Sequence, residues 1–549
     1  MFKNLQLTES QYLYTGLAVT GLCFIAMLIN LGEHHMFVHT DEPRRAVVAL
    51  EMIFSGNYLV PTLNGEPYLN KPPLLNWLTV SSYQLLHSFG EFAHRLPTII
   101  ALLAMSLVIF IANRTALNTT TAMLVVLAML TNGRVLFLDS FIGMIDIPFA
   151  LFVYSMFMAV YFLGEAKRWR ALFLVSYLLT ALAFLTKALP ALVFCGFTLL
   201  TYFLFFDNWR RLFSIDHALG ILLLIAILGT YYGMYLPISG IDFPTLLQTM
   251  FDESAKRTVI RFGIVETLTH IVTFPFDILA NFAPWSFLAI LLLNGKIRRN
   301  LWANRFIRYN MLVLLANLLV YWSSPEVHPR YLLMHAPLYY TMVISAFLVA
   351  TQNQPKWAKG MMVSLLGLTA TLVALLYYAS FHIASRPQFP TDSPAGPLIW
   401  AVVATAVFVL MVRVNRHDIK LLAMAAVLVI ARFDYSIYML PVRAYTQEPL
   451  RQEALAIAKK SRGMPLYLYG SNSVQDGTTY YIERERGEIL RRHTPESGDP
   501  PAYYLISEQR LKKQDLQSLG RLSTLFQKDL FLVKLPAAGF EKSLADTAR

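Results

Sequence analysis

The chain has 549 residues, 56% of them hydrophobic and only 15% charged, with a formal net charge of +12. Soluble domains carry about 25% charge, so the composition excludes an ordinary water-soluble globular protein and points to an integral membrane one. In a soluble chain the positive excess would suggest nucleic acid; here it serves membrane topology, and no nucleic-acid partner is expected.

Apolar runs of about 16 to 22 residues recur as far as residue 440, long enough to cross a hydrocarbon layer of about 30 Å as helices. They fall near 12–31, 96–113, 120–138, 146–163, 171–186, 188–206, 217–236, 276–294, 309–322, 332–350, 361–380, 398–413 and 420–437, about thirteen spans. The first run lacks a small-residue cleavage site and is too long for a signal-peptide core, so it is expected to remain as an anchor. Cys23 and Cys195 both lie inside predicted spans and imply no disulfide framework. Lysine and arginine concentrate in alternate short loops, among them Lys167, Arg168, Arg170, Arg298, Arg299, Arg413 and Arg416. The positive-inside rule puts those loops and the N-terminus in the cytoplasm, and an odd number of spans then puts the C-terminus outside.

Two outer-side loops, 32–95 and 237–275, are too long for simple connections, and function is expected there. Within the first, HTDEPRRAVVALEMIFSG reads as a helix. His39, Thr40 and Asp41 offer N-caps, Pro43 suits a first turn, apolar residues recur at helical spacing from Ala46 to Phe54, and Gly56 supplies the stop. Its charges are too costly for hydrocarbon, so an amphipathic helix along the outer membrane face is expected. After residue 440 charge rises, and strand-like runs at 465–469, 479–482, 502–506 and 530–534 alternate with helical stretches near 447–461 and 508–518. This pattern suggests a small soluble α/β domain over 441–549, outside the membrane, with 1–440 as the membrane domain.

The polar residues of interest all fall on the predicted outer side. They are Asp41, Glu42, Arg44 and Arg45, then Lys71 in NKPP, Asp139 and Asp146 in LDSFIGMIDIPF, Lys187 in LTKALPAL, Asp252, Glu253, Lys256 and Arg257, and Glu326, His328, Arg330, Tyr331 and His335 in SPEVHPRYLLMH. Each has a bland reading: Asp41 as a helix cap, Arg44 and Arg45 as headgroup-seeking side chains, Lys187 as the partner of a lipid phosphate. Their recurrence in five segments at one membrane depth favours a site, because ionisable groups at a bilayer boundary are kept mostly where they face a cavity. Lys71, Lys187 and Arg330 suit a phosphate, and a carboxylate such as Asp41 facing it suits a general base.

The motif pair DEPRRA and NKPPLLNWL, thirty residues apart, resembles the GT-C membrane glycosyltransferases that use polyprenyl-phosphate sugars. The closest likeness is to the branch containing the aminoarabinose transferases and the protein O-mannosyltransferase-like enzymes. IDIPFALF, LTKALPAL and PRYLL are similar to further motifs of that branch. The resemblance implies a mainly α, polytopic GT-C fold with a periplasmic α/β domain, in the bacterial inner membrane. It implies an inverting transferase moving a sugar from a polyprenyl-phosphate donor, 4-amino-4-deoxy-L-arabinose being one candidate, to a lipid acceptor such as lipid A or another glycolipid. Carried over by residue, Asp41 and Asp146 would be catalytic, and Arg44, Lys71, Lys187, Arg330 and Tyr331 would hold the donor phosphate. Glu42, Asp139, Glu253 and His328 are secondary candidates. No cofactor is implied outright, although some relatives hold a divalent metal, which here would lie by Asp41 and Asp146. Membrane lipids and the two lipid substrates are the expected partners of a monomer. A transporter or flippase of a lipid-linked sugar is the rival reading; it would favour paired repeats and midplane charges, and neither is evident.

Overall fold

The structure, a computed structural model, describes residues 7–33, 35–37, 41–255, 262–384, 394–496, 499–523 and 528–535. His39, Thr40, Lys256 and Arg257 lie outside the described residues. The chain divides into two compact units.

The first unit comprises 1–31, 97–233 and 242–440 and is helical. Eight helices among the described residues have the length and apolarity to cross a membrane, and nine if a bent pair is one span. The expected thirteen thus rests partly on shorter or more polar helices, such as Pro190–Phe205, Arg305–Trp322 and Ala336–Asn353. One run differs in kind. Where a span was expected over 276–294, the helix Ile264–Asn281 ends and a nine-residue 3-10 helix, Trp285–Leu293, follows. At about 2 Å rise per residue that segment reaches under two-thirds of the hydrocarbon thickness.

The bent pair positions part of the site. Helix α5 (Thr119–Thr131) and the segment from α6 (Gly133–Phe137) to Phe141 meet at 44°. Backbone groups freed at such a break need partners where water is scarce. Asn132 supplies several: its Nδ2 donates to the Ala128 and Met129 carbonyls, and its Oδ1 accepts from the Val135 N–H. The Gly133 N–H donates to the Ala283 carbonyl at 2.8 Å. The segment then passes through a short 3-10 turn, Asp139–Phe141, to α7 (Asp146–Glu165), which packs on α8 (Trp169–Lys187).

The second unit comprises 32–96, 234–241 and 441–549. A two-stranded hairpin, β1 (Thr62–Leu63) and β2 (Glu66–Pro67), accompanies a five-stranded mixed sheet of β3 (Leu466–Tyr469), β4 (Arg491–His493), β5 (Ala502–Ser507), β6 (Gly520–Leu522) and β7 (Leu530–Leu535) in the order β4–β3–β5–β7–β6. β3 lies parallel to β4 and β5, while β7 runs antiparallel to β5 and to β6. The run 479–482, read as a strand, is instead part of the helix Asp476–Arg486. Its β-branched and aromatic residues favour a strand, but tertiary packing decides the matter. Tyr480, Tyr481 and Ile482 are buried against α2 (Asp41–Ser55), and Gly487 closes the helix in the left-handed conformation.

Helix α2 has the expected bounds but not the expected neighbours. Ala46, Val47, Val48, Ala49 and Leu50 are all fully buried, and five consecutive helical residues sweep more than a full turn. The helix is therefore covered by protein on every side, chiefly by α3 (Leu74–Leu85), the Asp476–Arg486 helix and apolar side chains of the sheet, rather than resting its apolar stripe on lipid.

Two buried carboxyl groups join α2 to the Asp476–Arg486 helix. Glu51 accepts from the Thr62 hydroxyl at 2.5 Å and from the N–H groups of Asn64 and Gly65 at 2.5 and 3.1 Å. Those N–H groups are aimed by a tight hairpin turn with φ of +56° and +77°, the Asn-Gly geometry that suits such turns. Glu483 accepts from the Leu490 N–H at 3.0 Å, while its Oε2 is buried with no hydrogen-bond partner among the described residues and lies beside Glu51. A proton on Glu483 resolves this, since the neutral acid donates to the better hydrogen-bonded Glu51 carboxylate. Burial, and then the Glu51 charge, push the Glu483 carboxyl well above its usual range. The folded state thus keeps a proton that the unfolded chain releases above pH 4.5, the ordinary glutamate value, so stability falls as pH rises beyond that point. The unfolding midpoint in detergent is expected to decline between about pH 5 and pH 8. Glu483→Gln should flatten that decline, and an unaltered slope in the variant would locate the titration elsewhere.

Candidate active site

The candidate residues fall into two groups, one in each unit. In the second unit, the DEPRR motif forms the first turns of α2, and its charges separate by helix geometry. Glu42 is fully buried and takes both the Nε and Nη2 of Arg95, at 2.7 and 3.2 Å. Arg45 is 5% exposed with its guanidinium over the Tyr68 ring at 5.3 Å. Arg44 reaches Asp41 at 3.6 Å, and its Nε donates to Asp476 Oδ2 at 2.9 Å. Burial raises the Asp476 carboxyl while Arg44 pulls it back. Asp41, its side chain 36% exposed, is the carboxylate of the motif that meets solvent. Lys71 is half-buried in the segment leading into α3.

The first unit holds a buried ionic cluster. Asp146 opens α7, and its Oδ1 accepts from Lys187 Nζ, at the last turn of α8, at 2.6 Å. Arg330, on the 3-10 turn Pro329–Leu332, brings its Nε within 3.3 Å of Asp146 Oδ2. Tyr331 lies beneath both cations, with Lys187 Nζ at 3.8 Å and the Arg330 guanidinium at 5.5 Å from its ring centre. Asp139 is held by Arg134 through two bonds, at 2.9 and 3.1 Å. Ala188, the residue after Lys187, has φ of +61°, an unfavourable conformation for a side-chain-bearing residue and one typical of sites that the surrounding fold must hold in place. Among the described residues the cluster brings two carboxylates and three cations together, in a setting where burying an ion costs several kcal/mol. The cluster is chemically suited to an anion.

The remaining candidates lie on other elements. His328 packs edge-on to Tyr331 at 5.4 Å, and Glu253 is half-buried on α11 (Phe243–Ala255). His335 is buried among Phe157, Phe194 and Tyr321, and neither of its ring nitrogens has a hydrogen-bond partner among the described residues. Asp146 faces two cations, and the described residues contain no group of three His, Cys, Asp or Glu side chains arranged for an ion.

Three further residues were not singled out from sequence. Arg95 and Asp476 hold Glu42 and Arg44 from segments far along the chain. Arg432 is fully buried inside an apolar run, and its Nη1 donates to the Leu136 carbonyl at 2.5 Å, just before the Asp139 turn. A charge within a membrane-length run is itself a signal of a working residue.

The family described as dolichyl-phosphate-mannose-protein mannosyltransferase matches residues 70–232. Over 191 residues the chain is 30% identical to an undecaprenyl phosphate-alpha-4-amino-4-deoxy-L-arabinose arabinosyl transferase of Shewanella sediminis, covering 33% of this chain and 34% of the relative. An enzyme of the same name from Edwardsiella ictaluri is 30% identical over 181 residues, 32% of each chain. These alignments span about a third of the length of either relative. The crystal structure of ArnT from Cupriavidus metallidurans bound to undecaprenyl phosphate superposes with a TM-score of 0.66 at 18% identity, covering 95% of this chain and 98% of that one. Its apo form gives 0.65 at 19% identity, with the same coverage.

The ion pairs make a separable prediction. Glu42→Ala strands the buried Arg95 charge and should lower stability by about 3–5 kcal/mol, read as a fall in the unfolding midpoint in detergent. Asp41→Asn should leave the midpoint nearly unchanged; equal losses would show that both acids are structural. In fold, the chain shares the GT-C architecture of the ArnT crystal structures, as its DEPRRA and NKPP motifs led one to expect.

Proposed function

We propose that the chain is an inverting glycosyltransferase that moves a sugar of the 4-amino-4-deoxy-L-arabinose class from a polyprenyl-phosphate donor to a lipid acceptor such as lipid A. The convergence of Lys187 and Arg330 on Asp146, with the Tyr331 ring beneath both cations, is the observation that carries this reading. The donor's phosphate is the leaving group, and the bond from its oxygen to the sugar carbon is the one that breaks. Lys187 and Arg330 meet the charge that develops there and Tyr331 orients them, while the motif resemblance gives Lys71 and Arg44 a phosphate-holding role as well. Asp41 takes the proton of the acceptor hydroxyl as its oxygen attacks the sugar carbon from the opposite face, giving inversion in one displacement. Asp146 keeps the two cations charged and aimed.

The likeness in sequence to arabinosyl transferases, confined to a third of the chain, and the likeness in fold to ArnT both support the choice of donor. The same reading places the N-terminus in the cytoplasm and the 441–549 domain in the periplasm of a bacterial inner membrane, with the chain acting as a monomer. A flippase would release its sugar lipid unaltered, so product chemistry separates the two readings.

The test is transfer by purified protein from a panel of radiolabelled undecaprenyl-phosphate sugars to lipid extracts, with mass spectrometry of the product. No labelled product from any donor would overturn the reading. Asp41→Asn should cut turnover by at least about 100-fold while donor binding persists; near-normal turnover would remove Asp41 as the base. Lys71→Ala should weaken donor affinity more than acceptor affinity, whereas equal losses would make Lys71 structural.

A further inference from the structure

The second unit carries an open cleft of about 620 Å³, lined by none of the candidate residues and within the size range of small-molecule sites. Three arginines line it, Arg462, Arg486 and Arg491, together with Tyr467, Phe54 and a single carboxylate, Glu488. Arg486 forms its base: the side chain is 5% exposed, Nη1 donates to the Ser461 hydroxyl at 2.6 Å, Nη2 donates to the Met464 carbonyl at 2.8 Å, and Glu488 pairs with it. Arg462 stands at the rim, 61% exposed, with Glu485 at 2.6 Å. Arg491, at the start of β4, has no ion-pair partner among the described residues.

Backbone geometry shapes the cleft for a close-fitting guest. Gly463 and Gly487 line it with φ of +82° and +70°, conformations that side-chain-bearing residues rarely adopt. Gly65, at φ +77°, lets the Arg491 stem lie against the hairpin turn, since a Cβ there would stand 3.0 Å from Arg491 Cγ. Counting Glu485 and Glu488, the guanidiniums outnumber the carboxylates by one. Guanidinium forks match phosphate oxygens in pairs, and the Tyr467 and Phe54 rings offer flat apolar faces for a sugar ring. Phe54 is also in the last turn of α2, whose first turn carries Asp41, so one covered helix joins the cleft to the candidate base.

We infer that this cleft binds a phosphorylated saccharide. On the transferase reading, on which this identification of the occupant rests, the ligand is the distal, phosphate-bearing part of the glycolipid acceptor. A free sugar phosphate would present the same chemistry.

The experiment uses the full chain in nanodiscs of phosphatidylcholine, with glucosamine 1-phosphate, glucosamine and lipid A as probes and undecaprenyl phosphate as a separate ligand. Glucosamine 1-phosphate is expected to bind and glucosamine not to. Arg462→Glu and Arg491→Glu, both on exposed side chains, are expected to weaken the phosphorylated probe at least tenfold while undecaprenyl phosphate binds as before. Competition by lipid A identifies the glycolipid as the source, and its absence identifies the free sugar phosphate; either result supports the site. No binding of glucosamine 1-phosphate to the unaltered protein, or equal binding to the two variants, would overturn it. Loss of undecaprenyl phosphate binding and of transfer, with saccharide binding intact, would overturn the transferase reading alone.

Discussion

A carboxylate gripped by a lysine and an arginine is the interaction that organises the buried charges of the first unit. Asp146, Lys187 and Arg330 come from three separate elements, α7, α8 and the Pro329–Leu332 turn, and each is costly to bury alone. Together they lower that cost, while the second carboxylate, Asp139, is held by Arg134. Cations held at fixed positions in a low-dielectric setting interact with an anion far more strongly than they would in water.

The break in the α5–α6 segment is what brings Asp139 and Asp146 to this cluster. An unbroken helix would continue past Asn132 and carry both acids elsewhere. Asn132 makes the break tolerable by serving the carbonyls before it and the N–H after it, and Trp285 Nε1 adds a bond to the Thr131 hydroxyl at 2.9 Å. Arg432 satisfies a carbonyl on the far side of the break while its Nε and Nη2 have no hydrogen-bond partner among the described residues. Its charge suits the carbonyl end of a short helix, where the backbone dipole is negative. The cost of keeping it there is consistent with a segment whose geometry matters.

Much of this was legible in sequence, and the failures have physical causes. The membrane class followed from composition, and the bounds of α2 followed from its capping pattern and Gly56. Residues Asp146, Lys187, Arg330 and Tyr331 could be nominated because charged groups stand out at the ends of apolar runs. Their mutual contacts could not, since Lys187 and Asp146 are 41 positions apart and nothing local fixes their approach. The run 479–482 misled because its propensity is that of a strand and only packing against α2 makes it helical. The run 276–294 misled because apolarity measures greasiness, while continuity of the helix depends on residues such as Asn281 and Pro284 at its break. Partners such as Arg95 and Asp476 carried no motif at all, because an ion pair leaves no spacing rule when its members lie on different segments.

Adjacent residues of one motif can therefore do opposite work. Asp41 and Glu42 read together in sequence as an acidic pair, yet successive helical positions point about 100° apart. On α2, which protein covers on all sides below its first turn, that angle is decisive. Glu42 turns inward to neutralise Arg95 and can take no proton from a substrate, while Asp41, at the helix start, keeps a third of its side chain in solvent. Arg44, one turn on, reaches back to Asp41 and across to Asp476, so the one exposed acid is held in place by a cation that is itself anchored. A mobile carboxylate would make a poor base, because proton abstraction depends on holding it within hydrogen-bond reach of the hydroxyl. Arg44 thus fixes the outward acid, while Glu42 ties the same helix turn to Arg95.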